Sequence, residues 1–107
     1  MLSDEIRYKL LKILKENPQI SQRMLADELG ISLGRLNYCL RALAERGLVK
    51  MERFKNAKNK LAYLYRLTPA GVSEKVRVTR RFLNLKLNEH AEITAEIERL
   101  RGEVGRR

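Results

Sequence analysis

The sequence has one cysteine, one histidine, two prolines and no tryptophan among its 107 residues. A single cysteine excludes an intrachain disulfide and fits a reducing compartment, so we expect a cytoplasmic protein. No run approaches the roughly 18 apolar residues that a membrane-spanning helix needs, which excludes a transmembrane protein. The N-terminus contains acidic residues and no small-residue cleavage site, so it does not have the pattern of a secretory signal.

The sequence also lacks the motifs of enzymes. It contains no glycine-rich phosphate loop, nucleophile elbow or histidine-based constellation. One histidine and one cysteine are too few ligands for a metal site, so we expect neither catalysis nor a cofactor. Cys39 stands beside Leu40 and one turn after Leu36, which favours a half-buried packing residue over a redox sensor. His90 is interpreted as an ordinary polar position at a bend, rather than a pH switch.

Positive charge is abundant and unevenly distributed. The net charge is +10, with 34% charged residues. Between residues 35 and 66 the chain has nine lysines or arginines against Glu45 and Glu52, so 32 residues carry +7 of that total. A concentration of this kind predicts a polyanionic partner, and nucleic acid is the first candidate.

The stretch from Ile31 to Val49 has the pattern of a recognition helix. Ser32 is a suitable N-cap, and Gly47 can adopt the left-handed conformation that ends a helix. Leucines at helical spacing form one apolar stripe for the core. The other side carries residues that can hydrogen-bond base edges or phosphates, namely Arg35, Asn37, Tyr38 and Arg41.

Two helices are predicted before this one. Ser3 caps the first, which has an amphipathic stripe and ends at Asn17-Pro18. Ser21 caps a short second helix that ends at Gly30. Because the connection from there to the third helix is so short, the pair has the layout of a helix-turn-helix motif.

A β-hairpin is predicted after the third helix. Residues 48–54 roughly alternate between apolar and polar, and residues 61–67 are rich in apolar and aromatic side chains. Tyr63 and Tyr65 are interpreted as strand residues covering a core. A hairpin at this place in the chain is a wing, and its basic or amide side chains are Arg53, Lys55, Asn56, Lys58, Asn59 and Lys60.

Thr68-Pro69 starts a long helix, with threonine as the cap and proline at the first helical position. Apolar residues follow in two stripes, separated by a polar interruption at residues 88–90 where a bend is possible. A helix of this length has too little of its own domain to pack against, so we expect a homodimer through residues 75–104. The dimerisation residues would be Val76, Leu83, Leu87, Ile93, Ile97 and Leu100.

This order of elements, with the sequence YRLTPAG opening the long helix, resembles the MarR family of bacterial winged-helix transcriptional regulators. The resemblance covers residues 5 to about 85. The stretch FKNAKNKLAYLYRLTPAG is most similar to a compact subgroup associated with extracellular polysaccharide gene clusters. The resemblance implies sequence-specific binding to duplex DNA as a dimer.

By position, the resemblance implies that Ser32 and the donors of the third helix lie near bases or phosphates in the major groove. Lys55, Lys58 and Lys60 would meet the minor groove or the backbone. Larger members have a further helix before the one that starts near Ser3, and this chain begins after it, which argues against a small-molecule effector. Asn59-Lys60 replaces the Asp-Arg pair of many wings, so we expect this wing to contact phosphates more than to read sequence.

We therefore predict a mainly α fold with a small β-hairpin wing. A winged helix-turn-helix domain would span residues 1–68, with a recognition helix at 32–46 and a wing at 50–67. A helical dimerisation segment would span residues 69–107. The predicted function is a DNA-binding transcriptional regulator, most simply a dimeric repressor. The alternatives are a winged-helix adaptor that binds proteins and a binder of RNA or single strands.

Overall fold

The computed structural model describes residues 2–55, 57–58 and 61–105. Within them lie four helices and one antiparallel pair of strands, in the order α1, α2, α3, β1, β2 and α4. Their bounds are Asp4–Glu16 for α1, Gln22–Leu29 for α2, Leu33–Glu45 for α3, Val49–Lys55 for β1, Leu61–Leu67 for β2 and Pro69–Gly105 for α4. The predicted winged-helix architecture is confirmed.

Serine side chains cap the first three helices. The hydroxyls of Ser3, Ser21 and Ser32 each accept a hydrogen bond from the backbone N–H three residues later, at 3.1 to 3.2 Å. Gly30 ends α2 with a φ of 67°, and Gly47 follows α3 with a φ of 72°. Both glycines adopt the left-handed backbone that a side chain would disfavour, so both turns were predictable from sequence.

A leucine-rich core joins the three short helices to the strands and to the start of α4. Its fully buried members are Leu10, Leu11, Leu14, Leu25, Leu36, Leu40 and Val78. Because α1, α2 and α3 each bury one apolar stripe here, their outer faces are left for other contacts.

The strands pair in a register that sets Val49 opposite Leu67 and Arg53 opposite Tyr63. Tyr65 fixes this hairpin to the helices, because its backbone N–H donates to the Pro18 carbonyl at 3.1 Å and its hydroxyl accepts from Gln22 Nε2 at 2.7 Å. Tyr65 is buried as predicted, but Tyr63 is exposed. Tyr63 does not cover the core, since its side chain lies under the guanidinium of Arg53 instead.

One hydroxyl organises the junction between the hairpin and α4. Thr68 Oγ1 donates to the Gly47 carbonyl at 2.6 Å and accepts from the Gly71 backbone N–H at 3.0 Å. The Thr68 backbone N–H donates to the Leu48 carbonyl at 3.1 Å. The end of α3 and the start of α4 are thereby held by the same residue, which gives the Thr68-Pro69 motif a physical role.

Helix α4 is one unbroken helix through Gly105, so the polar interruption at residues 88–90 does not divide it. The residues that α4 buries against the domain are Gly71, Glu74 and Val78, whereas Val76 is about half exposed. The residues predicted for dimerisation therefore lie on a stripe that faces away from the domain.

Candidate nucleic-acid interface

The outer face of α3 is open. All five residues predicted for this helix, Ser32, Arg35, Asn37, Tyr38 and Arg41, are exposed, and Tyr38 has 74% of its surface accessible. On the opposite side of the same helix, Leu36 and Leu40 are fully buried. The helix therefore has one anchored face and one face of hydrogen-bonding side chains, a division that is typical of a recognition helix.

The cations predicted from the charge concentration have different environments. Arg46, which caps the end of α3, lies 3.7 Å from the carboxylate of Glu74, a buried residue of α4 that Arg77 also approaches at 3.7 Å. Arg66 lies 3.9 Å from Glu52 across the hairpin. These two arginines have carboxylates within the protein, so part of the local charge of +7 stabilises the domain.

The wing presents a basic edge. Arg53, Lys55 and Lys58 are exposed, and the Arg53 guanidinium lies 5.7 Å from the centre of the Tyr63 ring. Stacking on a tyrosine orients the guanidinium without neutralising it. The other predicted wing residues, Asn56, Asn59 and Lys60, lie outside the described residues.

A groove of about 510 Å³ separates the wing from the beginning of α2. Its polar lining includes Gln19, Ser21, Gln22, Lys55 and Tyr63. Sequence reasoning missed the two glutamines, because only the docking of the hairpin through Tyr65 brings this part of α2 next to the wing. The Ser21 cap marked the start of the helix but gave no sign of what would face it.

A second, mainly apolar groove of about 440 Å³ lies between α1 and α3. Tyr38 and Cys39 line it from α3, Leu10 and Leu11 line it from α1, and Leu2 lines it from the segment before α1. Cys39 is half-buried, as predicted. One edge of the exposed face of α3 thus borders this groove, so Tyr38 is accessible both from the front of the helix and from the side of α1.

Two kinds of feature are absent from the described part of the chain. No cluster of three histidine, cysteine or acidic residues is arranged to hold a metal ion there. Likewise, none of the described helices is both long enough and apolar enough to cross a membrane.

The sequence matches the winged helix-turn-helix DNA-binding family over residues 3–50. No curated protein matches the chain significantly. The matched residues run from the Ser3 cap through α3 to the start of β1, so the match covers the three short helices of the domain.

Several solved structures share this fold. The PcaV transcriptional regulator of Streptomyces coelicolor, solved with its natural ligand, is 21% identical, with a TM-score of 0.61 over 88% of this chain and 71% of its own. The MarR family protein Rv2887 of Mycobacterium tuberculosis, in complex with p-aminosalicylic acid, is 21% identical, with a TM-score of 0.59 over 94% of this chain and 77% of its own.

FabT of Streptococcus pneumoniae, solved in complex with DNA, is 20% identical, with a TM-score of 0.55 over 85% of this chain and 61% of its own. The chain shares its fold with these solved proteins, in agreement with the resemblance seen in the sequence. The matching family is described as DNA-binding, and PcaV is described as a transcriptional regulator.

Proposed function

We propose that this protein is a dimeric transcriptional regulator that binds a specific duplex DNA site and acts most simply as a repressor that occupies a promoter. The single observation that supports this function best is the division of α3 into a fully buried leucine face and an open face of donors. In the proposed complex, residues 32–46 enter the major groove, and the wing at residues 50–67 lies on the minor groove or the backbone. Such a protein would act in the cytoplasm, beside the DNA.

The two sets of side chains have different tasks in this proposal. Arg35 and Arg41 offer planar guanidinium groups that suit guanine edges or phosphates, and Asn37 suits adenine. The hydroxyl of Ser32 caps its own helix and so is placed for a phosphate at the helix start. Lys55 and Lys58 are compact charges on long stems, which suits phosphate contacts that add affinity without sequence preference.

The proposed division into a DNA-binding part and a dimerisation part falls at residues 68/69, with one refinement. The first turns of α4 belong physically to the winged helix, because Glu74 and Val78 are buried against it. The residues predicted for dimerisation lie on the other side of these turns, from Val76 onward, and continue along the projecting part of the helix.

The direct test is a selection of preferred sites from random duplexes, followed by binding to the selected duplex, its single strands and the matching RNA across a salt series. The proposal predicts that the selected duplex binds about 10³-fold or more tightly than random duplex, with a steep salt dependence. An adaptor would show only weak binding that ignores sequence, and an RNA or single-strand binder would prefer those probes. Either result would contradict the proposal.

A further inference from the structure

Most of α4 projects beyond the winged-helix domain. It contacts α1 through the stacked rings of Phe82 and Tyr8, at 5.1 Å, and through the ion pair between Arg81 and Asp4, at 2.7 Å. Residues 83–105 are all described, and every one of them is exposed except the half-buried Glu89. The molecule is accordingly 70 Å long but only 27 by 22 Å across.

The exposed face of α4 carries one continuous seam. Because the helix has no break, the predicted dimerisation residues other than Leu87 join into a single ladder with alternating steps of four and three residues, the period of a left-handed coiled coil. Leu87 lies beside this ladder, next to Lys86. The ladder consists of Val72, Val76, Thr79, Leu83, Lys86, His90, Ile93, Ile97, Leu100 and Val104. Its apolar members remain 38–71% exposed in the single chain.

The two halves of α4 carry opposite charge. Residues 69–86 contain five basic side chains and one acidic one, whereas residues 87–105 contain five acidic side chains and two basic ones. A second copy of this helix that runs in the opposite direction would set each basic half against an acidic half. A second copy that runs in the same direction would set like charge against like charge along the whole seam.

We infer that α4 pairs with the α4 of a second copy as an antiparallel coiled coil centred on residue 88. This inference rests on the proposed dimer and adds its direction and register. In this register Leu83 packs on the partner's Ile93, Val76 on the partner's Leu100, and Val72 on the partner's Val104. All apolar members of the ladder then meet apolar residues, except Ile97, which meets the partner's Thr79.

The two polar members of the ladder favour the same direction. In the antiparallel register Lys86 lies opposite the partner's His90, so neither residue faces its own copy. In a parallel pair Lys86 would face the partner's Lys86 inside the seam, where two like charges would be desolvated together. Lys86 also lies 3.2 Å from Glu89 on its own helix, and this carboxylate remains beside the polar layer in the antiparallel pair.

The direction also decides how far apart the two DNA-binding domains lie. At 1.5 Å per residue, the antiparallel register separates the two starts of α4 by roughly 57 Å, whereas a parallel pair would hold them roughly 10 Å apart. Recognition helices in a dimer reach successive half-sites when they lie about 34–36 Å apart, or a multiple of this. Domains at opposite ends of a long seam have room for such spacing, and domains side by side at one end do not.

Engineered disulfides test direction and register in the full-length chain. Cys39→Ser first removes the native cysteine. In this background the variants Leu83→Cys and Ile93→Cys are each oxidised alone. They are then mixed, allowed to exchange subunits, and oxidised as a mixture. In the antiparallel register the two copies of position 83 are about 15 Å apart, too far for a disulfide, whereas position 83 of one copy meets position 93 of the other. We therefore expect cross-linked dimer only in the mixture, at no more than about half of all dimers, the share of heterodimers after random exchange.

The matched control is a mixture of Asn84→Cys with Ile93→Cys. Position 84 lies one residue along the same helix and off the seam, so this mixture should not cross-link. Cross-linking of either single variant on its own would establish a parallel pair and overturn the inference. Absence of cross-links in all samples would reject the register. Sedimentation and DNA binding of the same variants distinguish a wrong direction or register from a failure of the proposed function. A parallel dimer would still sediment as a dimer and bind its DNA site.

Discussion

The α-carbon of Gly71 lies so close to the backbone carbonyl oxygen of Leu48 that no side chain fits between them. The residue that follows α3 and its turn therefore touches the first turn of α4 directly. The Leu48 carbonyl oxygen also accepts a hydrogen bond from the Thr68 backbone N–H. The same carbonyl therefore contacts both Thr68, before α4, and Gly71, in its first turn. The orientation of the proposed dimerisation helix relative to the recognition helix depends on this contact.

Replacing Gly71 by alanine should destabilise the domain, because the new Cβ would collide with backbone atoms that cannot rotate away. We expect a loss of about 1–3 kcal/mol or more in the free energy of unfolding, measured by urea denaturation. Gly102→Ala is the matched control, since Gly102 lies in the same helix with open space around it and should gain up to about 1 kcal/mol. Equal effects of the two substitutions would contradict the close packing at Gly71.

The hydroxyl of Thr68 should be worth about 1 kcal/mol as the cap of α4. Thr68→Ala removes the acceptor for the Gly71 N–H and the donor to the Gly47 carbonyl together, so denaturation should reveal that loss. Thr68→Ser keeps both hydrogen bonds and should retain most of the stability. If serine were as destabilising as alanine, the methyl group of Thr68, and not its hydroxyl, would be the important part.

Dimerisation should depend on the seam beyond the domain. Truncation after Leu87 removes its C-terminal half, and we expect a monomer or weak dimer with much poorer DNA affinity in analytical ultracentrifugation and binding assays. Ile97→Glu should weaken the full-length dimer in the same way, because it buries an unpaired charge. Ala95→Glu adds the same charge off the seam and serves as the control. A truncated chain that remained a full-strength dimer would refute the role of this segment.

The wing lysines should govern the salt dependence of DNA binding more than its sequence preference. Each phosphate contact that is lost should lower the log–log slope by about 0.9, so Lys55→Gln with Lys58→Gln should lower it by about two units. Affinity for selected and random duplexes should fall by similar factors. An unchanged slope would place the wing away from the phosphates, and a loss confined to the selected site would indicate that the wing reads bases.

The elements with local signals could be predicted from sequence. Ser3, Ser21 and Ser32 cap helices by accepting hydrogen bonds from backbone N–H groups three residues later. Gly30 and Gly47 follow helix ends and adopt the left-handed backbone conformation themselves. Each signal therefore lies within a few residues of its effect. The residues of α4 that meet the domain could not be predicted from sequence, because the side of α4 that meets α1 is decided by the junction at Gly71. Glu74 and Val78 are buried there, whereas Val76, a predicted dimerisation residue, is exposed.

The same reason explains what was missed in the candidate interface. Gln19 and Gln22 border the wing only because Tyr65 docks the hairpin against α2. The exposure of Tyr63 likewise follows from its pairing with Arg53 on the open side of a two-stranded sheet. Pairing partners in a hairpin can be guessed from its register, but the side that the rest of the protein leaves uncovered cannot.

The central claim is that the open face of α3 reads duplex DNA, and the most direct measurement is the affinity of the Arg35→Ala/Arg41→Ala variant for the selected site. Both residues are exposed, so the fold and the sedimentation of the dimer should be unchanged. Lys12→Ala/Lys15→Ala, on the exposed side of α1, removes the same charge and controls for general electrostatics. The account predicts that the arginine variant loses specific binding while the lysine control keeps most of it. Specific affinity that survived the loss of both arginines would contradict the assignment of α3 to the major groove.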